Sequence, residues 1–196
     1  MYLAGLDVGQ VVDYMALLVA QPSERARPPT YTVRFAYRWP LSTPNIIMIH
    51  DIKAILSALK DHVTLHVDYT GKGQVYQDWM EREFLKPPRV TNVMADYAVF
   101  SHQMKENLVS NVKLLLGEGR LRFSKGSGIH AEMVDELFDE LCNYQVRVKE
   151  TARGKPTSEM GALGYGQHDD LATALMLSLM DAEYNPASGE MIWIHH

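Results

Sequence analysis

The sequence predicts an α/β fold: a mixed sheet built from a three-strand antiparallel meander followed by parallel αβ units, with helices on both faces. Three observations predict it. Residues 1–39 hold three strand-like runs joined by short links, a pattern that favours antiparallel pairing. From residue 44 onward, stretches of helical spacing alternate with short apolar runs, as in sheets whose parallel strands are joined by crossover helices. The last periodic stretch, from Asp169, is apolar around most of its girth and therefore reads as a buried helix.

Taken in order, residues 2–8 form a central strand and Gly9-Gln10 a turn. "DYMALLVA", residues 13–20, is the second strand, and "QPSERARPPT", with three prolines, is a surface turn. "YTVRFAYRW", residues 31–39, alternates and is rich in β-branched and aromatic residues, so it is the third strand. "PNIIMIHDIKAILSALK" has Ile49, Ile52, Leu56 and Leu59 along one side of a helix. "HVTLHVD" is a strand, "GQVYQDWMEREFL" a helix that stops before Pro87 and Pro88, and "RVTNVMA", residues 89–95, a strand. "SHQMKENLVSNVKLLLGEG" is a helix with Ser101 as its N-cap and Gly117 near its end. "RLRFS" is a short strand, "HAEMVDELFDELCNY" a helix, "QVRVKET" a further strand, and "ARGKPTSEMGALGYGQ", residues 152–167, a polar loop. No internal repeat or linker interrupts the series. Residues 1–182 are expected to form one domain around a single core, and 183–196, with "NPASG", a loosely attached tail.

Composition excludes several classes. The 196 residues are 46% hydrophobic and 22% charged, as in an ordinary globular protein. The longest apolar runs are too short for a membrane span, and "MYLAGLDVG" has no basic n-region of a signal peptide. Cys142 is alone, which excludes an internal disulfide framework and a cysteine metal site and fits a reducing, intracellular setting. A formal net charge of −5 argues against a generally basic nucleic-acid binder. It leaves room for local patches: "RVKETARGK" supplies Arg147, Lys149, Arg153 and Lys155, and "GRLRFSKGSG" supplies Arg120, Arg122 and Lys125. Either patch also reads as a solvated charged face.

The carboxylates fall at element ends. Asp7 closes the first strand, on the face opposite Leu6 and Val8. Asp13 opens the second strand across the Gly9-Gln10 turn. Asp68 closes "HVTLHVD", on the face of Thr64 and His66, and Asp169 and Asp170 open the last helix. Residues at the carboxyl ends of neighbouring parallel strands converge. If the Asp7 and Asp68 strands are parallel neighbours, their carboxylates meet there, and the amino end of the last helix can pack on the same spot. A helix amino end favours negative charge by only about 0.3 to 1 kcal/mol. Crowded carboxylates repel more than that, so a shared proton or a divalent cation must relieve them; oxygen ligands suit Mg²⁺ or Mn²⁺. Taken singly, Asp7 and Asp13 also read as turn residues, Asp68 and Asp169 as helix caps, and His168 as a loop histidine.

"GLDVG", "VDYTGKG" and "GQHDDLATALMLSL" together resemble the nuclease domain of the large terminase subunit of tailed bacteriophages, over residues 3 to about 182. That resemblance implies an RNase H-like fold, cleavage of double-stranded DNA during viral genome packaging, and two Mg²⁺ or Mn²⁺ ions, spaced about 4 Å apart in such chemistry. It implies Asp7, Asp68 and Asp170 as the acidic catalytic triad, Asp7 bridging both ions. Asp169 becomes an auxiliary metal ligand, with Asp13 and His168 as further candidate ligands. It also implies DNA contacts from Lys105, Arg147, Lys149, Arg153 and Lys155, and a β-hairpin near the site where "ETARGKPTSEMGALG" lies. The implied partners are DNA, a terminase ATPase domain, the small terminase subunit and the portal, in the cytoplasm of the infected bacterial host, with no membrane. "YTGKGQ" lacks the spacing and the final Ser or Thr of a phosphate-binding ATPase loop, so the chain is expected to be the nuclease domain without its motor. The rival readings are a Holliday-junction-resolvase-like nuclease, an actin-like nucleotide-binding domain suggested by "GLDVG", and a non-catalytic module with the same shell.

Overall fold

The computed structural model describes residues 1–9, 14–23, 25–70, 73–99, 101–124, 129–150, 156–162 and 168–182; for 73–75, 102, 129, 146–150 and 156–159 it describes the backbone alone. The strands are β1 (Tyr2–Asp7), β2 (Ala16–Pro22), β3 (Tyr31–Arg38), β4 (Val63–Asp68), β5 (Val93–Ala98), β6 (Leu121–Phe123), β7 (Gln145–Glu150) and β8 (Pro156–Gly161). The helices are α1 (Asn45–Ala58), α2 (Gly73–Leu85), α3 (His102–Gly117), α4 (Ile129–Asn143) and α5 (Asp170–Ser178).

Six strands form one sheet in the order β5-β4-β1-β2-β3-β6. The pairs β1–β2 and β2–β3 are antiparallel, as the short links require. The pairs β1–β4, β4–β5 and β3–β6 are parallel, and helices carry the chain back between them. Because β1 and β3 both oppose β2, the carboxyl ends of β1, β3 and β4 all lie at one end of the sheet. The meander followed by parallel αβ units is the expected architecture.

Strand alternation divides the apolar residues between two cores. Ala4, Leu6, Val8, Leu17, Val19, Val63, Leu65 and Val67 face α1 and α2, where Ile49, Ile52, Leu56 and Met80 cover them. Leu3, Leu18, Ala20, Val33 and Ala36 face the other way, under α3, α4 and α5. Each of Leu171, Leu175 and Leu179 is fully buried there, worth roughly 2 kcal/mol of transfer free energy apiece. The helix therefore sits on the sheet as its apolar girth demanded. Its closest approach is at Gly5, where an added Cβ would lie 2.0 Å from the Ala174 carbonyl oxygen and 2.5 Å from the Ser178 nitrogen. Only a glycine lets the α5 backbone rest on β1 in this way.

The structure corrects the sequence reading in three places. Residues 156–161 of the expected polar loop form β8, which pairs with β7 as an antiparallel hairpin, and β7 sits in this two-stranded sheet rather than in the main one. Proline at the first position of β8 hid the strand, although that is a position where a strand tolerates it. The strand expected at 89–95 is displaced to Val93–Ala98. Residues 89–92 instead close the turn after α2: the Val90 amide bonds the Phe84 carbonyl, and the Asn92 side chain donates to the carbonyls of Leu56, Leu59 and Asp61. The second strand begins at Ala16 rather than at residue 13, and Asp13 and the tail 183–196 lie outside the described residues.

Candidate active site

Asp7 ends β1 and Asp68 ends β4. The two strands are parallel neighbours with Leu6 opposite Val67, so the next register step sets Asp7 beside Asp68. Alternation points Asp7 to the face of Leu3 and Gly5, and Asp68 to the face of Thr64 and His66. That face is the one α5 covers. With Ala174 and Ser178 over Gly5, the first turn of α5 lies toward the strand ends and brings Asp169 and Asp170 with it. The conditional convergence read from the sequence is thus realised.

The electrostatics follow from this crowding. Burial pushes the Asp7 carboxyl well above the usual carboxylate range, and the charges of Asp170, Asp68 and Asp169 push it further; Lys105 pulls it back. Burial also raises Asp68, against hydrogen bonds from Thr70 and the Lys105 charge. Asp68 Oδ1 accepts from the Thr70 amide at 2.7 Å, a turn bond two residues on rather than a cap of α2, which starts at Gly73. Lys105 is half-buried on the first turn of α3, whose N-cap is Ser101 as expected: its hydroxyl accepts from the Met104 amide. The Lys105 charge acts on both Asp7 and Asp68 and favours their ionised forms.

Asp169 occupies the N-cap position of α5 but its side chain makes no cap bond. Its Oδ2 instead accepts from the Ala162 amide at 3.3 Å, and an added Cβ on Gly161 would lie 2.5 Å from it. Gly161, at φ 146°, holds the end of the hairpin against the acidic cluster in a conformation other residues rarely adopt. The hairpin implied by the resemblance thus abuts the site. Arg147 and Lys149 lie in β7, opposite Glu159 and Thr157, and their side chains are outside the described residues, as are Arg153 and Lys155 entirely.

Asp170 is buried, with Oδ2 3.9 Å from Arg38 Nη1 and 3.8 Å from His168 Nδ1. His168 stands edge-on to Tyr14, ring centroids 4.8 Å apart. Sequence reasoning missed the groups behind these carboxylates. Arg38, at the end of β3, donates to Glu140 Oε1 at 2.7 Å and to Glu136 Oε2, and its guanidinium lies 4.7 Å over the Tyr14 ring. Glu140 Oε2 accepts from the Ala172 amide at 2.9 Å. Burial lifts the Glu140 carboxyl to about 7, against the Ala172 amide and Arg38, which favour its charged form. Tyr144 is raised by burial and by the charges of Asp169 and Asp7. One signal was available: Glu136 and Glu140 on α4, and Tyr144 just past its end, recur every four residues.

The donor set fits a hard divalent cation. It consists of carboxylates near enough to act on one another's charge, and the Tyr144 hydroxyl, on which Asp169 and Asp7 also act, has no hydrogen-bond partner among the described residues. The side chains stand in electrostatic contact rather than as a closed cage: among the described residues, no three acidic, histidine or cysteine side chains already converge on one ion.

Neither a protein-family model nor a curated protein matches the chain. Solved structures do. The nuclease domain of the large terminase subunit gp2 of bacterial virus Sf6 superposes with a TM-score of 0.59 at 15% identity, covering 91% of this chain and 87% of that one. A mutant of the same domain with manganese and beta-thujaplicinol gives 0.62 at 17% identity, with the same coverage. The nuclease domain of the bacteriophage SPP1 large terminase g2p with bound Mn gives 0.53 at 10% identity, covering 93% and 86%. At such identities the likeness concerns architecture, and the chain has the RNase H-like fold of these large-terminase nuclease domains.

Proposed function

We propose that the protein is a metal-dependent endonuclease that cuts double-stranded DNA, the nuclease part of a viral packaging terminase. The observation that carries this reading is Asp7: a half-buried carboxyl at a strand end, one register step from Asp68, with its pKa raised by burial and by the charges of Asp170, Asp68 and Asp169. Buried like charges are costly unless a proton or a cation neutralises them. The fold is that of nuclease domains whose structures hold manganese.

On this reading Asp7, Asp68 and Asp170 would hold two divalent cations, with Asp7 the shared ligand, Asp68 serving one ion and Asp170 the other. Two such ions, when bound, acidify a water and stabilise the leaving oxygen of the phosphodiester. Asp169 and His168 complete or orient that ligand set, and Asp13 is a further candidate. Lys105, half-buried and acting by its charge on Asp7 and Asp68, faces a phosphate seated on the acids. The β7–β8 hairpin carries Arg147 and Lys149, with Arg153 and Lys155 between its strands in sequence. Contacts from such side chains to the DNA backbone position the duplex without reading its bases, so cleavage is nearly independent of sequence. Residues 1–182 are the catalytic unit. Its partners are an ATPase domain, the small terminase subunit and the portal, in the cytoplasm of an infected bacterium. Among the described residues no helix is long and apolar enough to cross a membrane.

The test is nicking of supercoiled plasmid with Mg²⁺ or Mn²⁺. The wild-type chain is expected to nick and linearise it, and Asp7→Ala and Asp170→Ala to lose at least about 1,000-fold in rate, as removal of a group central to catalysis does. Cleavage retained by either folded variant refutes the assignment.

A further inference from the structure

Glu136 and Glu140 on α4 have a relation to Asp170 that the catalytic reading does not require. Four separate parts of the chain meet at Arg38: the end of β3 that bears it, Tyr14 under its guanidinium, Glu136 and Glu140 from α4, and Asp170 from α5. The contacts are unequal. Arg38 Nη1 is 2.7 Å from Glu140 and 3.9 Å from Asp170. The other carboxylate oxygen of Glu140, a side chain only 6% exposed, accepts from the Ala172 amide in the first turn of α5 at 2.9 Å. That amide is one of the helix-start donors that need a partner from outside the helix. The residue placed to supply one, Asp169, makes no cap bond.

We propose that Glu140 is a positioning residue for the metal ligands of α5. It caps the helix from a neighbouring element, which leaves Asp169 free of that duty. With Glu136 it also holds the Arg38 guanidinium short of Asp170. An arginine closed onto Asp170 competes directly with a divalent cation for the same oxygens, since a bidentate guanidinium–carboxylate pair occupies both. The two glutamates give Arg38 nearer anions and so weaken its hold on Asp170. The arrangement fixes the ligand geometry through groups that touch no ion, as the hydrogen-bond partners of metal ligands do elsewhere.

This proposal rests on the metal-site reading, and the test separates the two. At pH 8, where Glu140 is ionised, Mn²⁺ is titrated calorimetrically into the metal-free wild-type chain, into Glu140→Gln, and into the double variant Glu140→Gln with Arg38→Met; metal-free thermal unfolding verifies that each is folded. Glutamine keeps an oxygen for the Ala172 amide and removes the charge that holds Arg38. Glu140→Gln is expected to bind Mn²⁺ about 10- to 100-fold more weakly, the usual loss when a ligand's partner is removed. Adding Arg38→Met is expected to restore most of that affinity, because the competing cation is gone. A double variant no tighter than Glu140→Gln overturns the proposal, as does Glu140→Gln binding like wild type. Should Glu140→Gln fail to fold, Glu136→Gln, at the more exposed anchor, is expected to show a smaller loss that Arg38→Met again reverses; an unaltered affinity there overturns the proposal too. No Mn²⁺ binding by the wild-type chain sinks the metal reading itself.

Discussion

Asp7 is held where its charge is disfavoured, the reverse of what a carboxylate that serves the fold meets. A structural aspartate is surrounded by donors that lower its pKa. Asp7 is raised by burial first and then by Asp170, Asp68 and Asp169, with Lys105 pulling against them. Replacing the charge but not the shape is therefore expected to stabilise the metal-free fold. Asp7→Asn should raise the metal-free melting temperature, by about 2–4 °C for each kcal/mol relieved in a chain of this size, while abolishing cleavage. Differential scanning calorimetry in the presence of a chelator measures it. A lower melting temperature would mean that the Asp7 carboxylate is an acceptor the fold depends on. That Asp7, Asp68, Asp169 and Asp170 end or open an element was legible in the sequence. Arg38 and Glu140 were not: they are 102 residues apart, and nothing local to either names the other.

At the scale of elements, the position of the acids depends on how closely α5 lies on β1. That spacing is set by Gly5. A Cβ there meets the Ala174 carbonyl at 2.0 Å and the Ser178 nitrogen at 2.5 Å, both backbone atoms with no rotamer to change. Gly5→Ala is expected to lift α5 off the sheet and destabilise the protein by roughly 3 kcal/mol or more, the range of severe overpacking. Chemical denaturation of the variant checks this, and a midpoint like that of wild type would show that the helix does not rest on the strand so closely. "GLDVG" drew attention to Asp7, yet this glycine has its own reason to be there, visible only once the helix is in place. The helices were legible because their apolar spacing is a local property: Ile49, Ile52 and Leu56 are buried as their periodicity required. The β7–β8 hairpin was not legible from its residues, since "KPTSEMG" has loop composition and its pairing with β7 is a tertiary choice. The strand β5 slipped for the same kind of reason. It is an edge strand, Val93–Ala98, with an exposed Met94 and Asp96, and its register follows from pairing with β4 rather than from its own pattern.

For the whole molecule, the raised carboxyls tie stability to pH and to metal in one relation. A group whose pKa is higher folded than unfolded keeps a proton in the native state that the unfolded chain has already released. Between the two values the native state binds more protons, so stability falls as pH rises. Glu140 spans the interval from its ordinary 4.5 to about 7, and Asp7 and Asp68 act with the same sign from 3.8 upward. Two groups act oppositely: Asp61 is lowered by the terminal ammonium and Glu83 by Lys86, so each contributes stability above its unfolded value and loses it as pH falls. Their losses fall below about pH 4.5, under the window of the raised groups. Metal-free protein is therefore expected to be most stable near pH 5 and to lose melting temperature steadily toward about pH 7.5. On the proposed reading a divalent cation would take the place of those protons, and its binding would strengthen as they leave. With saturating Mn²⁺ the decline should flatten, and the difference between metal-loaded and metal-free melting temperatures should widen with pH, since a ligand of the native state stabilises by mass action. Asp7→Asn, lacking one of the raised groups, should show a shallower metal-free decline and a much smaller Mn²⁺ increment at every pH. Thermal scans of both proteins from pH 4.5 to 8, with chelator and with Mn²⁺, decide it: parallel curves with and without metal would detach the acidic cluster from any cation and leave its crowding to be explained by protons alone.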